Sequence, residues 1–271
     1  MFCPVEQSCS YDDIKDTLQT GDIFLFSGAG LSSLWVKLGT FSSWSHVGMV
    51  VRCDHIAEQE AREEEESRSR GLFIEGEEDE YSDKVPHSLR YKKDNLFLWH
   101  CNSSALVIED IITGIKKRGN QLSPLRIALR TYQGSIYLRR TVLPMAHEAE
   151  QRMCHKTLHD FIVDAAPKTY TDNLFELALA AYDGPAGGNV DQFETYFCSK
   201  LVAHTLIILQ WLDYSQPASE YVPKDFSSTY MSELSHGIVL ETELRINMTP
   251  ISRADLNLPK KKRRSKTPGW T

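Results

Sequence analysis

The run LVAHTLIILQWL, Leu201 to Leu212, is the longest apolar stretch in the chain and constrains the fold more than any other segment. His204 and Gln210 interrupt it, and it is too short and too polar to span a bilayer. It therefore reads as a buried helix. Apolar residues Leu201, Val202, Leu206 and Leu209 share one helical face, and Cys198 falls on the same stripe near the first turn. A chain of 271 residues with 41% hydrophobic and 25% charged residues can build a sizeable core around such a helix.

Upstream, GDIFLFSG (21–28) reads as a buried strand bounded by glycines, and LSSLWVKLGTF (31–41) as an amphipathic helix. WSHVGMVVR (44–52) is a valine-rich strand, and NLFLWHC (95–101) is another. ALVIEDII (105–112) and GIKKRG (114–119) read as a strand and a turn with strand continuation. PLRIALRTY begins a helix at Pro124, and SIYLRRTV is a strand. AHEAEQRMCHKTLHDFIVDAA predicts a helix of about five turns that stops before Pro167. NLFELALAAYDGPAGGN (173–189) is helical and runs into a glycine-rich loop. Residues 11–20 form a short helix ending at Gly21, and 213–250 are loop and short strand. Strands first and helices later favour an α+β domain with an antiparallel sheet over a doubly wound fold. One domain covers 1–250, with an acidic insertion at about 57–94 and a basic tail at 251–271.

The net charge of −7 belongs to one segment: residues 58–80 carry eleven acidic groups and three arginines, leaving +1 for everything else. It says little about the partners of the folded body. The six cysteines are irregularly spaced and contain no CxxC, which argues for reduced thiols and against a thiolate zinc site. His155 and His159 lie four apart on a helix beside Cys154, but no second cluster has ligand spacing, so no metal and no cofactor is expected. No Walker loop or GxGxxG supports nucleotide binding. The N-terminus lacks the basic start and apolar core of a signal peptide, so an intracellular, cytoplasmic protein is expected. The basic run Lys260–Arg264 with Lys266 also fits nuclear import, or weak contact with an anionic surface; no specific nucleic acid is expected.

Two residues carry the chemistry. A cysteine at a helix N-terminus sits where the macrodipole and free N–H groups stabilise a thiolate and an oxyanion. A histidine held on a strand, His46, is suited to act as its base. His100, late in the next strong strand, is the best candidate to orient that ring; Glu109 and Glu75 are weaker ones. Pattern alone leaves a bland reading open, since a lone cysteine on an apolar helix face is more often a small core residue.

GDIFLFSG, WSHVGMVV and the later YFCSKLVAHTL, in that order, resemble the circularly permuted NlpC/P60 (papain-like) superfamily. The nearest group is the YiiX/YaeF-like amidases, which include proteins of poxviruses and other large DNA viruses. The resemblance covers roughly residues 18–55, 95–140 and 190–230. It implies a permuted papain-like fold, with a cysteine-bearing helix on a small antiparallel, barrel-like sheet. By resemblance Cys198 is the nucleophile and His46 the general base. The third position holds His100 where the YiiX-like group is expected to have glutamate; histidine there is a feature of the lecithin:retinol acyltransferase-like families. Ser45 and Tyr196 are candidates for the oxyanion site, beside the Cys198 backbone N–H.

The expected activity is a cysteine-dependent hydrolase or acyltransferase, an amidase, peptidase or lipid acyl hydrolase working through a Cys198 thioester. Its partner would be a peptide, amide or lipid-ester substrate. The alternative is a catalytically inactive papain-like binding protein that uses the cleft or the acidic insertion.

Overall fold

The computed structural model describes residues 8–28, 37, 42–53, 95–102, 108–144, 148–170 and 195–248. Seven strands form one sheet in the order β1-β11-β6-β2-β3-β4-β5. They are β1 (Ser8–Ser10), β2 (Ile23–Gly28), β3 (His46–Arg52), β4 (Leu96–Asn102), β5 (Gly119–Pro124), β6 (Gly134–Arg139) and β11 (Leu244–Asn247). Neighbouring pairs are antiparallel except β1–β11, which is parallel. Two small ribbons accompany the sheet: β7 (Thr141–Val142) with β10 (Val239–Leu240), and β8 (Thr169–Tyr170) with β9 (Thr195–Tyr196). The helices are α1 (Tyr11–Ile14), α2 (Leu125–Thr131), α3 (Glu148–Ala165) and α4 (Cys198–Ile208). The architecture is α+β, with a mostly antiparallel sheet, as the sequence pattern predicts.

Side chains alternate along a strand, and both faces of this sheet are covered. That is why the strands read as continuous apolar runs. On one face Ile23, Leu25, Val47, Met49, Val51 and Trp99 pack under α3 and α4, against Leu158, Phe161, Leu201, Val202 and Leu206. On the other, Phe24, Phe26, Val50, Leu96 and Leu98 meet Leu125 and Leu129 of α2 and Tyr11 and Ile14 of α1. Each fully buried leucine or valine of α4 contributes about 1.5–3 kcal/mol through burial.

The residues of the GDI motif have structural work. Gly21 has φ +99°, and a Cβ there would lie 2.5 Å from the Trp211 ring. Asp22 is fully buried and accepts from the backbone N–H groups of Thr141 (2.9 Å) and Gln19 (3.0 Å). Burial pushes its carboxyl up to about 6, against those two donors.

The structure corrects several sequence expectations. The helix of 11–20 is one turn of α-helix over Tyr11–Ile14 followed by 3-10 geometry to Thr17. The described part of ALVIEDII, Ile108–Ile112, forms no strand: Asp110 accepts from the N–H groups of Ile112, Thr113 and Leu122 and folds the segment into a turn. The strand after it is β5, GNQLSP. The Cys198 helix and the long helix before Pro167 lie where periodicity places them. The 31–41 helix (apart from Lys37), the acidic insertion, the 173–189 segment and the 251–271 tail lie outside the described residues. Among the described residues, no helix is long and apolar enough to cross a membrane.

Candidate active site

The site is built where two central strands stop pairing. The β3–β4 ladder runs from Arg52↔Leu96 to Met49↔Trp99. Beyond it, β4 continues to Asn102 with β5 as its partner, and β3 continues back to His46 with β2. Backbone N–H groups on a strand alternate between the two neighbours. Val50 donates to Asp22 on the β2 side (2.8 Å), so Val47, three residues earlier, points its N–H toward β4.

That N–H meets the Cys198 thiol. The sulfur accepts from the backbone N–H groups of Val47, Ser199 and Cys198 itself. The N-terminal residues of a helix have N–H groups with no intrahelical acceptor. No side chain of the N-cap residue, Phe197, bonds to those of α4, and the cysteine sulfur lies over them. Cys198 is 8% exposed. Cys101 lies in the same core cluster and donates its S–H to the Tyr196 carbonyl at 3.2 Å.

His46 begins β3, and its ring packs on Phe26 with centroids 5.2 Å apart. Its Nε2 lies 3.0 Å from Nδ1 of His100, the two rings standing edge to face. Nε2 of His100 in turn lies 3.1 Å from the Ser123 hydroxyl and 3.3 Å from the Gln121 amide. Gly48 makes room for this pair: a Cβ there would lie 3.1 Å from the Cβ of His100. The segment SHVG is thus accounted for residue by residue. Ser45 ties the strand to β2, His46 reaches His100, Val47 holds the thiol, and Gly48 clears the second ring.

The structure brings His46 and His100 into hydrogen-bonding contact and sets Cys198 against the residue next to His46. Among the described residues no hydrogen bond joins the thiol to the His46 ring. The two candidate oxyanion residues have other partners. Ser45 Oγ accepts from the Gly28 N–H (2.9 Å), donates to the Phe26 carbonyl (3.2 Å) and lies 3.2 Å from the Tyr132 hydroxyl. Tyr196 is fully buried, and its hydroxyl meets Nδ1 of His204 at 2.8 Å, well along α4 from Cys198. Glu109 lies in the turn before β5, and Glu75 lies outside the described residues. Sequence reasoning missed Gln121 and Ser123. Two polar side chains two apart in a Gly- and Pro-bounded segment give no apolar alternation to read.

Burial sets the protonation states. It lowers His46 to about 4. It lowers His100 well below the usual histidine range, with the neighbouring His46 ring adding to the effect. Burial also raises the Cys198 thiol to about 11, opposed by the three backbone N–H groups. Burial thus favours the neutral form of the thiol and of both rings, where the helix terminus alone leads one to expect a thiolate. Among the described residues, no group of three or more His, Cys, Asp or Glu side chains is placed to hold a metal ion. His155 and His159 are both exposed on α3.

No family model matches the chain, and no curated protein matches it. Among solved structures, it is similar to the crystal structure of the metalloprotein YiiX from Escherichia coli, at 13% identity over 86% of this chain and 98% of that one, with a TM-score of 0.38.

Proposed function

We propose that the protein is a permuted papain-like cysteine hydrolase or acyltransferase, in which Cys198 attacks an amide or ester carbonyl. The observation that carries this reading is the 3.0 Å His46–His100 contact, made at the strand end whose next N–H holds the Cys198 thiol. His46 uses Nε2 on His100, which leaves Nδ1 to serve Cys198.

The neutral resting pair dictates the order of events. Sulfur attacks as its proton passes to His46 Nδ1, so the nucleophile forms only with substrate present. The carbonyl oxygen becomes an oxyanion, and the Cys198 N–H at the start of α4 donates to it. His46 then gives its proton to the leaving amine or alcohol, and a thioester remains. Water, or another acceptor, attacks the thioester with His46 again taking the proton; the C–S bond then breaks, and His46 returns that proton to the departing Cys198 sulfur. Hydrolysis and acyl transfer differ only in that last nucleophile. The substrate class is a peptide, isopeptide or lipid acyl group.

The test is acylation by p-nitrophenyl acetate near neutral pH, followed by intact and peptide-level mass spectrometry. The expected result is an acetyl adduct on Cys198 in the wild type, absent in Cys198→Ser and strongly slowed in His46→Ala. An adduct that forms equally fast in His46→Ala would remove the base from the mechanism. The burial of Cys198 and its raised thiol favour one other reading, an inactive papain-like binding protein. Absence of any Cys198 adduct in the wild type would select it.

A further inference from the structure

Two thiols of this chain meet behind the candidate active site. Val47, Met49 and Val51 of β3 and Phe97, Trp99 and Cys101 of β4 all pack on the sheet face covered by α3 and α4. The β3–β4 ladder ends at Met49↔Trp99, and continuing its register sets Val47 across from Cys101. In a continued ladder the Val47 N–H, which points toward β4, would bond to the Cys101 carbonyl. It bonds to the Cys198 sulfur instead. That sulfur therefore sits at the mouth of the β3–β4 gap, on the Cys101 side of Val47.

A second contact brings Cys101 to the same place. Its S–H donates at 3.2 Å to the carbonyl of Tyr196, two residues before Cys198, and only the extended N-cap Phe197 lies between them. Burial pushes the Cys101 thiol well above its ordinary range, and charge on Cys198 is close enough to push it further. Cys9 and Cys53 lie elsewhere: Cys9 packs on the opposite sheet face, and Cys53 follows the end of β3 remote from His46. The two thiols also differ in access. Cys198 is 8% exposed and Cys101 1%. A small oxidant meets Cys198 first, and Cys101 is shielded behind it.

We propose that Cys101 is a resolving thiol for Cys198, and that a hydroperoxide converts the pair to a Cys101–Cys198 disulfide that reversibly closes the site. In the first step the Cys198 sulfur takes one peroxide oxygen as the O–O bond breaks; the thiol becomes a sulfenic acid, and water leaves when the oxidant is hydrogen peroxide. In the second, the Cys101 sulfur attacks the Cys198 sulfur. The S–S bond forms, the S–O bond breaks, and the hydroxyl departs as water with the Cys101 proton. Two thiols are oxidised and one peroxide is reduced. Without Cys101 the sulfenic acid is left open to further oxidation to the irreversible sulfinic acid. The disulfide rests on the placement of the two sulfurs; its effect on activity rests on the cysteine-enzyme reading above.

The experiment treats the full chain with hydrogen peroxide in mildly alkaline buffer, blocks the remaining thiols with iodoacetamide in denaturant, and maps unreduced peptides by mass spectrometry. The wild type is expected to give a linked Cys101–Cys198 peptide, to lose acetylation of Cys198 by p-nitrophenyl acetate, and to regain it with dithiothreitol. In Cys101→Ser, and in Cys101→Ala should serine disturb the fold, Cys198 should be trapped by dimedone as sulfenic acid. It should then pass to sulfinic acid, with a loss of acetylation that dithiothreitol does not reverse. In Cys198→Ser, Cys101 should remain a free thiol. A wild type whose Cys198 stays unoxidised, or reaches sulfinic acid as fast as in the Cys101 variants, overturns the proposal, and so does a linkage to any other cysteine. If the linked peptide forms but the reduced wild type gives no acetyl adduct, the enzyme reading falls and the thiol pair stands.

Discussion

A Cβ added to Gly48 would lie 3.1 Å from the Cβ of His100 and 2.8 Å from Cδ1 of Leu98. Glycine is required here by close approach, because His100 and Leu98 occupy the space a side chain would take. Gly48→Ala must push β4 away from β3 at the point where their ladder ends. Overpacking of this kind costs about 1–3 kcal/mol. It also lengthens the 3.0 Å His46–His100 contact. Urea denaturation should show the loss of stability, and acetylation of Cys198 should fall with it. Unchanged acetylation in a destabilised variant would mean that the histidine pair tolerates displacement.

The second prediction concerns Cys198 at rest. Its thiol is raised to about 11 by burial, despite three backbone donors. An ordinary thiol titrates near ~8.5. Iodoacetamide labelling should therefore still be accelerating above that pH, and at neutral pH should be slower for Cys198 than for the same cysteine in the unfolded chain. Peptide-level mass spectrometry across a pH series measures both. A rate that levels off in the acidic or neutral range would show a preformed thiolate, and would replace proton transfer during attack by an ion pair at rest.

What the sequence revealed and what it hid follow from the same physics. Cys198 and His46 were legible because each heads a long apolar element whose period is unambiguous. His100 was legible because it lies in LFLWHC, a strand that is strongly apolar. β5 escaped because Gly119, Asn120, Gln121, Ser123 and Pro124 have poor strand propensity. The antiparallel ladder with β4 and tertiary burial hold them extended, and Gln121 and Ser123 become informative only once they are seen beside His100. ALVIEDII read as a strand because its apolar residues dominate the pattern. Asp110 overrides them: it is fully buried, collects three backbone N–H groups and pairs with Lys117 at 3.0 Å. A single buried carboxylate outweighs local propensity there. Ser45 and Tyr196 lie close in sequence to His46 and Cys198, but closeness in sequence does not set side-chain direction: their hydroxyls bond to Gly28 and Phe26 and to His204.

The third prediction is a pH dependence of stability. Burial lowers His46 to about 4 and lowers His100 in the same direction. The unfolded chain protonates its histidines near ~6.5. Between those values the unfolded state binds more protons, so stability falls as pH drops from about 6.5 through 4. Asp22 acts with the opposite sign. Its carboxyl is raised to about 6, so the folded state holds the extra proton, and the associated loss of stability grows as pH rises toward 6. Because the two effects overlap, the wild-type curve alone does not separate them. The difference in Tm between wild type and His46→Gln does, and it should shrink or reverse steadily on acidification below about 6.5. A difference that is constant over that range would show that the ring titrates as in the unfolded chain.

The last prediction tests what holds the C-terminal part of the chain against the sheet. Arg139, the final residue of β6, has no exposed surface, yet its guanidinium donates to four carbonyl oxygens. These are Glu241 (2.7 Å), Phe226 (2.8 Å), Met231 (2.7 Å) and Leu240 (2.8 Å). The four acceptors span residues 226–241, which carry little regular structure of their own. A planar fork with five N–H donors can satisfy them together, and a lysine ammonium has too few donors and the wrong geometry. Arg139→Met removes the charge and leaves the carbonyls without this donor. Hydrogen bonds to charged groups contribute about 1.5–3 kcal/mol each, and since they are lost as a set and partly replaced by water, the expected cost is about 3–5 kcal/mol, as for breaking a buried ionic network. Arg139→Lys should recover only part of it. Urea titration of the two variants measures the cost, and hydrogen exchange should show its loss of protection concentrated in residues 226–241. A variant at wild-type stability would mean that the packing of Phe226, Ile238 and Leu240 alone is sufficient to hold this segment in place.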